Sequence, residues 1–166
     1  VLLALAGTAF GQSADPFPAQ FELSSLDGAN GFFLNGVDVG DYSGISVSTA
    51  GDVNGDGVDD LIIGAHFAGP SGNAAAGESY VVFGGVGVGS GGSIQLSSLD
   101  GTDGFVLNGV DAGDLSGFSV SSAGDVNGDG VDDLLVGAPS ELGYAGESYV
   151  VFGSVGIGAG GSCDLS

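Results

Sequence analysis

Apolar and polar residues alternate over short runs along the chain, and clusters of Gly, Asp, Asn and Ser bound each run. Gly31 to Gly36 reads GFFLNG, Ile45 to Ala50 reads ISVSTA, Leu61 to Ile63 is an apolar triplet closed by Gly64, and Tyr80 to Phe83 reads YVVF. Alternation puts successive side chains on opposite faces of a strand, and a short apolar run between turn signals suits a strand buried on both faces. The same four runs recur in order at Gly104 to Gly109, Phe118 to Ala123, Leu134 to Val136 and Tyr149 to Phe152. No stretch carries an apolar stripe at helical spacing. The pattern predicts an all-β chain of two units with four short strands each.

The units are copies of one another. Ser24 to His66 recurs as Ser97 to Pro139, and most of the exchanges swap one apolar residue for another, as at Phe33/Val106, Ile45/Phe118 and Ile63/Val136. GESYVVFG then closes each unit at Gly77 to Gly84 and Gly146 to Gly153, with the preceding loop four residues shorter in the second copy. Such length changes belong in surface loops. A repeat of about seventy residues with four strands points to radial repetition, one four-stranded antiparallel sheet per blade of a β-propeller. The expected organisation is a linker at 15–20, repeat one at 21–92, repeat two at 93–161 and the start of a further repeat at 162–166, where SCDLS matches SIQLS at Ser93 to Ser97. Because propellers close with about four to eight blades, two repeats are expected to form part of an incomplete ring.

One nonapeptide, DVNGDGVDD, occurs intact in both units, at Asp52 to Asp60 and Asp125 to Asp133. Asp52, Asn54 and Asp56, and likewise Asp125, Asn127 and Asp129, alternate with small residues and can turn their oxygens toward one point. Gly57 and Gly130 occupy the sixth position, where a cation loop bends sharply and a residue without Cβ avoids steric cost. The backbone carbonyls of Val58 and Val131 and the carboxylates of Asp60 and Asp133 complete the expected donor sets. All donors are oxygen, which suits calcium with its six to eight irregular ligands and excludes soft metals. An EF-hand opens the same way, but its twelfth position needs a bidentate Glu, and here Ile63 and Val136 begin or continue strands. The expectation is two calcium ions per chain.

Charge sharpens this reading. The 166 residues include 21 acids, one His and neither Lys nor Arg, a formal net charge of −21. Carboxylate repulsion must be relieved by solvent, salt or bound cations, and nucleic acid and anionic membrane surfaces should repel the chain. Val1 to Phe10 is an apolar run the length of a signal-peptide core and too short to cross a bilayer, with small residues placing cleavage near Gly11 or Ala14. Residues 1–14 are therefore expected to be a signal-peptide remnant on a secreted chain, the alternative being an N-terminal core element. With no Met at any position, the chain is expected to be a segment of a longer product. Cys163, the single cysteine, is the repeat counterpart of Phe21 and Ile94 and is expected to be a buried small hydrophobe.

The order SGxSVxxAGDVNGDGVDDLxxGA followed by GESYVVFG resembles the FG-GAP repeat of the integrin α-subunit propeller and its bacterial relatives, over about residues 21 to 166. The resemblance implies calcium held between two strands of a blade by Asp52, Asn54, Asp56, the Val58 carbonyl and Asp60, and by Asp125, Asn127, Asp129, the Val131 carbonyl and Asp133. It also implies a non-catalytic binding or adhesion role toward protein or glycan ligands at a cell surface or matrix. Two motifs depart from the pattern: Ser43-Gly44 and Ser116-Gly117 stand for Phe-Gly, and Gly64-Ala65-His66 stands for Gly-Ala-Pro, which is intact at Gly137 to Pro139. Catalytic candidates are thin. His66 is expected in an exposed loop, Glu78 and Glu147 are repeat equivalents on separate blades, and Asp38, Asp41, Asp111 and Asp114 fall in Gly-flanked turns, solvated or beside the cation loops. A structural spacer and a non-catalytic part of a larger exported enzyme remain as alternative functions.

Overall fold

The computed structural model describes residues 20–140, 143 and 145–165. The expected signal remnant and most of the linker lie outside them. Ten strands follow in chain order: β1 Phe33–Asn35, β2 Ser46–Gly51, β3 Asp60–Ala65, β4 Glu78–Val82, β5 Ser93–Gln95, β6 Gly104–Asn108, β7 Ser119–Gly124, β8 Asp133–Ala138, β9 Glu147–Val151 and β10 Ser162–Asp164. Three single 3-10 turns, at Leu23–Ser25, Pro70–Gly72 and Leu96–Ser98, are the helical elements among the described residues. The chain is all-β, and its sheets are propeller blades.

Strand membership differs from the repeat in the sequence by one strand. The central sheet runs β10-β6-β4-β3-β2. Its four-stranded antiparallel part takes β2, β3 and β4 from the first repeat and β6 from the second, with Tyr80 opposite Val106 and Val81 opposite Phe105. The expectation that GFFLNG opens the sheet of its own unit is therefore corrected. The second copy of that strand, β6, closes the sheet of the unit before it. The second unit supplies β7, β8 and β9 as a three-stranded sheet, and among the described residues β1 pairs only with β5. The glycine-rich connectors also do more than link units, because each leads into a short parallel strand, β5 on β1 and β10 on β6.

Packing explains the offset. Phe105 and Leu107 of β6 are sealed from solvent together with Val81 of β4 and Ile62 of β3, and each such burial contributes about 1.5–3 kcal/mol. The connectors that lead into β5 and β10 cross phenylalanine faces, and glycine makes that crossing possible. A Cβ at Gly158 would lie 2.3 Å from the Phe105 ring, and one at Gly89 would lie 2.2 Å from Phe32, while both residues hold positive φ. Part of the high glycine content thus has a specific cause.

β3 is buried on both faces. Ile62 joins Ala50, Val53, Val120, Leu134 and Val136 between the two larger sheets, whereas Ile63 turns to Tyr80, Val82, Leu96 and Leu99. This double burial is why Leu61 to Ile63 reads as an unbroken apolar run. β2 packs against β7, with the Val120 N–H donating to Ser46 Oγ at 3.1 Å. Near this contact a Cβ at Gly64 would meet the Gly117 carbonyl oxygen at 1.9 Å. This close backbone approach falls at Ser116-Gly117, the pair that departs from Phe-Gly.

Candidate metal centre

The first nonapeptide links β2 to β3 after a register shift between Thr49 and Gly51, and the second links β7 to β8 after the same shift at Ser122 and Gly124. Loop backbone N–H groups turn the acidic side chains inward. Asp52 accepts from the N–H of Asp56 at 3.0 Å and of Gly57 at 2.8 Å, Asn54 Oδ1 accepts from Asp56 at 2.9 Å, and Asp56 accepts from Val58 at 2.9 Å. The second loop repeats the arrangement. Asp125 accepts from Asp129 at 3.0 Å and Gly130 at 2.9 Å, Asn127 from Asp129 at 2.9 Å, and Asp129 from Val131 at 2.9 Å. Gly57 and Gly130 have φ of +86° and +91° with open space where a Cβ would stand, as the sixth position requires.

Asp60 and Asp133 are placed differently from the other acids. Both are fully buried. Asp60 accepts from the Val53 N–H at 3.0 Å with one oxygen and from the Gly84 N–H at 2.8 Å with the other, so it ties the loop's start to the end of β4. Asp133 makes the same pair of bonds, to Val126 at 2.8 Å and Gly153 at 2.9 Å. Burial pushes the Asp60 carboxyl above the ordinary carboxylate range, the Gly84 and Val53 bonds oppose this, and the nearby Asp56 and Asp52 charges add to the rise.

Positions one, three and five of each loop are thus brought together, while position nine is committed to the backbone. Among the described residues no three His, Cys, Asp or Glu side chains are gathered closely enough to hold a metal by themselves. In each loop the amide bridges the gap, Asn54 Nδ2 donating to Asp56 Oδ2 at 3.2 Å and Asn127 Nδ2 to Asp129 Oδ2 at 2.9 Å. The donor chemistry fits a hard cation: every available atom is oxygen, and a carboxylate oxygen that accepts one N–H keeps a further lone pair.

The loops sit side by side. The Asp52 N–H donates to Asp132 Oδ2 at 3.0 Å, Asp132 returns its own N–H to the Asp52 carbonyl at 3.0 Å, and the Ser154 N–H reaches the Val53 carbonyl at 3.0 Å. A Cβ on Gly51 would lie 2.2 Å from the Asp132 carboxylate. The sequence carries no sign of this tie, because Asp59 has the same local context as Asp132.

The remaining candidates lie elsewhere. The Tyr80 hydroxyl donates to Glu78 and that of Tyr149 to Glu147. Burial raises the Glu78 carboxyl, the Tyr80 bond lowers it, and the Asp41 and Asp38 charges raise it further. Burial likewise raises Asp114, with help from Asp111 and Glu147, and the Glu147 bond, then burial, push Tyr149 up to about 12. Glu78 pairs with Ala65 at the end of β3 remote from Asp60, so these turn acids gather at the opposite end of the blade from the cation loops. His66 is buried, not exposed as expected, because Tyr42, Phe67 and Phe118 enclose it at ring distances of 5.8, 4.3 and 5.3 Å. Cys163 is half-buried on β10 against the larger core.

A four-stranded antiparallel blade stacked on a three-stranded one, each with an acidic nine-residue turn after its first strand, defines a β-propeller segment of the repeat type. Residues 43–82 and 116–151 match the FG-GAP repeat model. The chain is 36% identical over 115 residues to integrin alpha-PS2 of Drosophila melanogaster, covering 67% of this chain and 8% of that protein. It is 32% identical over 123 residues to integrin alpha-3 of Mus musculus, covering 74% and 10%. It is also 38% identical over 117 residues to the phosphatidylinositol-glycan-specific phospholipase D of Bos taurus, covering 64% and 13%. The chain belongs to the FG-GAP repeat family of integrin α-type propellers, and it spans about a tenth of the length of these relatives.

Proposed function

We propose that the chain is a secreted, calcium-binding propeller segment that serves as a non-catalytic binding or adhesion module. The observation that carries this reading is the duplicated loop. Two sites, built by the same hydrogen bonds, each present Asp, Asn and Asp side chains on a chain with neither Lys nor Arg to neutralise them. Asp52, Asn54, Asp56 and the Val58 carbonyl hold one calcium ion, with Asp60 fixing the loop or adding a ligand. Asp125, Asn127, Asp129 and the Val131 carbonyl hold the other, with Asp133 in the same role as Asp60. Bound calcium supplies local positive charge and cross-links the loop. The integrin relatives support an adhesion-type module, and the partners proposed for it are protein or glycan ligands outside the cell. No helix among the described residues is long and apolar enough to cross a membrane.

Isothermal titration tests the reading. Two binding events are expected, with affinity on the order of 10⁻⁴ to 10⁻³ M as in extracellular modules, and both should vanish in the Asp56→Ala, Asp129→Ala double variant. Retention of both events in that variant removes these loops from consideration. The likeness to the bovine phospholipase D favours one second reading, a non-catalytic propeller part of a larger exported enzyme. Calcium-dependent retention of the isolated chain on matrix protein or glycan surfaces supports the adhesion reading against it.

A further inference from the structure

The two cation loops are joined at their bases by two separate sets of hydrogen bonds. In the first, Asp132 closes a ring on the main chain of Asp52, accepting its N–H at Oδ2 and donating its own N–H to the Asp52 carbonyl, both at 3.0 Å. Asp132 stands between Val131 and Asp133 of the second loop, and Asp52 is the first donor of the other. In the second set, Asp133 holds the Gly153 N–H, the next N–H, of Ser154, reaches the Val53 carbonyl at 3.0 Å, and Asp60 holds the Val53 N–H. The buried carboxylates of both loops therefore belong to one continuous chain of bonds. The junction has no slack: a Cβ on Gly153 would meet the Asp132 and Val53 carbonyl oxygens at 2.2 and 2.9 Å, and Gly51, at φ +75°, has no room for one beside the Asp132 carboxylate. The tips differ from the bases, since residues 55–59 and 125–130 are exposed.

We propose that the two loops take up calcium with positive cooperativity and that Asp132 is the positioning residue that couples them, an inference that rests on the calcium reading above. Each free loop gathers acids that repel one another, with neither Lys nor Arg to relieve them, so closing a tip around an ion carries an ordering cost. Fixing the Val131 carbonyl fixes the adjoining peptide and with it Asp132, which sets the main chain of Asp52 before the first loop has taken its ion. Part of the ordering cost of the second binding step is then already met. Linkage makes the effect equal in both directions, so an ion in the first loop favours the second to the same degree. Repulsion between the ions opposes this only weakly. Each nonapeptide holds four Asp, and a loop carrying one divalent ion remains formally negative toward the next.

Calcium titration calorimetry of the whole chain beside its single-site variants tests the proposal. Asp129→Ala leaves the first loop to bind alone, and Asp56→Ala leaves the second. Each lone loop should bind about five-fold or more weakly than the same loop does when its neighbour is filled. With Asp132→Ala added, the affinity of one loop should no longer depend on the other, whereas Asp132→Asn, which keeps an acceptor oxygen for the Asp52 N–H, should preserve the dependence. If Asp132→Ala fails to fold, amide exchange on the Asp56→Ala chain decides, because calcium held by the second loop alone should slow exchange of the Asp52 N–H. Two ions bound by the intact chain with affinities that the single-site variants reproduce overturn the coupling and leave the calcium reading standing. Coupling that persists in Asp132→Ala, or an Asp52 amide indifferent to an ion in the second loop, overturns the role of Asp132. An intact chain that binds no calcium overturns the calcium reading and this proposal together.

Discussion

Gly77 to Gly84 and Gly146 to Gly153 are the same octapeptide, yet they live in different surroundings. Both form an antiparallel strand on the equivalent partner of their own unit in the same register, Tyr80 opposite Ile63 and Tyr149 opposite Val136. Val81 is sealed, while Val150 is half exposed. Local conformation thus follows from the residues themselves, whereas burial follows from what the neighbouring repeat brings. Ile62 and Leu135 show the same split one strand further in, since Ile62 is fully buried and its counterpart is 39% exposed.

The largest expected effect separates that second pair. Ile62→Ala should cost about 2–5 kcal/mol, because it empties a filled core position, and Leu135→Ala under about 1 kcal/mol. Urea melts at concentrations where the chain is monomeric check this, and equal losses would show that the two units are packed alike. Next in size is Asp60→Ala. It leaves the buried Val53 N–H and the half-buried Gly84 N–H without an acceptor and should cost about 2–4 kcal/mol even in chelator. Asp56→Ala should cost under about 1 kcal/mol under the same conditions, because its carboxylate is exposed. A calcium-independent loss at Asp60 alone would mark it as the clamp of the loop.

Calcium should contribute less, on the order of 1–3 kcal/mol in all at millimolar concentration, since a ligand bound only by the folded state stabilises by mass action. Melting midpoints with calcium and with chelator should differ, and monovalent salt should recover only part of the gap, because it screens charge without bridging oxygens. The smallest effect concerns pH. Glu78 and Asp114 have folded pKa values above their ordinary ones, so the folded state binds more protons than the unfolded chain between the two values. Stability in chelator should therefore fall as pH rises through the folded pKa values and be regained on acidification toward the ordinary carboxylate range. Glu78→Gln should flatten that slope, as read from melting midpoints across the acidic range.

Strand positions were plain in the sequence because alternation and turn residues are local signals. Ser46–Gly51, Asp60–Ala65 and Glu78–Val82 fall within a residue or two of the runs that predict them. Which sheet each strand joins was not plain. Gly104–Asn108 carries the same pattern wherever it pairs, and only the packing of Phe105 and Leu107 beside Val81 decides. The cation loops were readable down to their sixth glycine, but the inward turn of Asp60 toward Gly84 depends on a residue 24 positions away. His66 was misplaced for a similar reason: Phe118, which helps bury it, belongs to the other unit.

The offset between repeat and blade has a consequence for how such chains lengthen. The stretch that is duplicated is not the stretch that folds, since each copy carries the strand that finishes its predecessor. A newly inserted copy is therefore fastened to the one before it at once, as overlapping courses lock a brick wall. Arrays of this kind can grow or shrink by whole units without evolving a new junction each time. A cut made at the edge of the sequence repeat, by contrast, strips the outer strand from the preceding sheet.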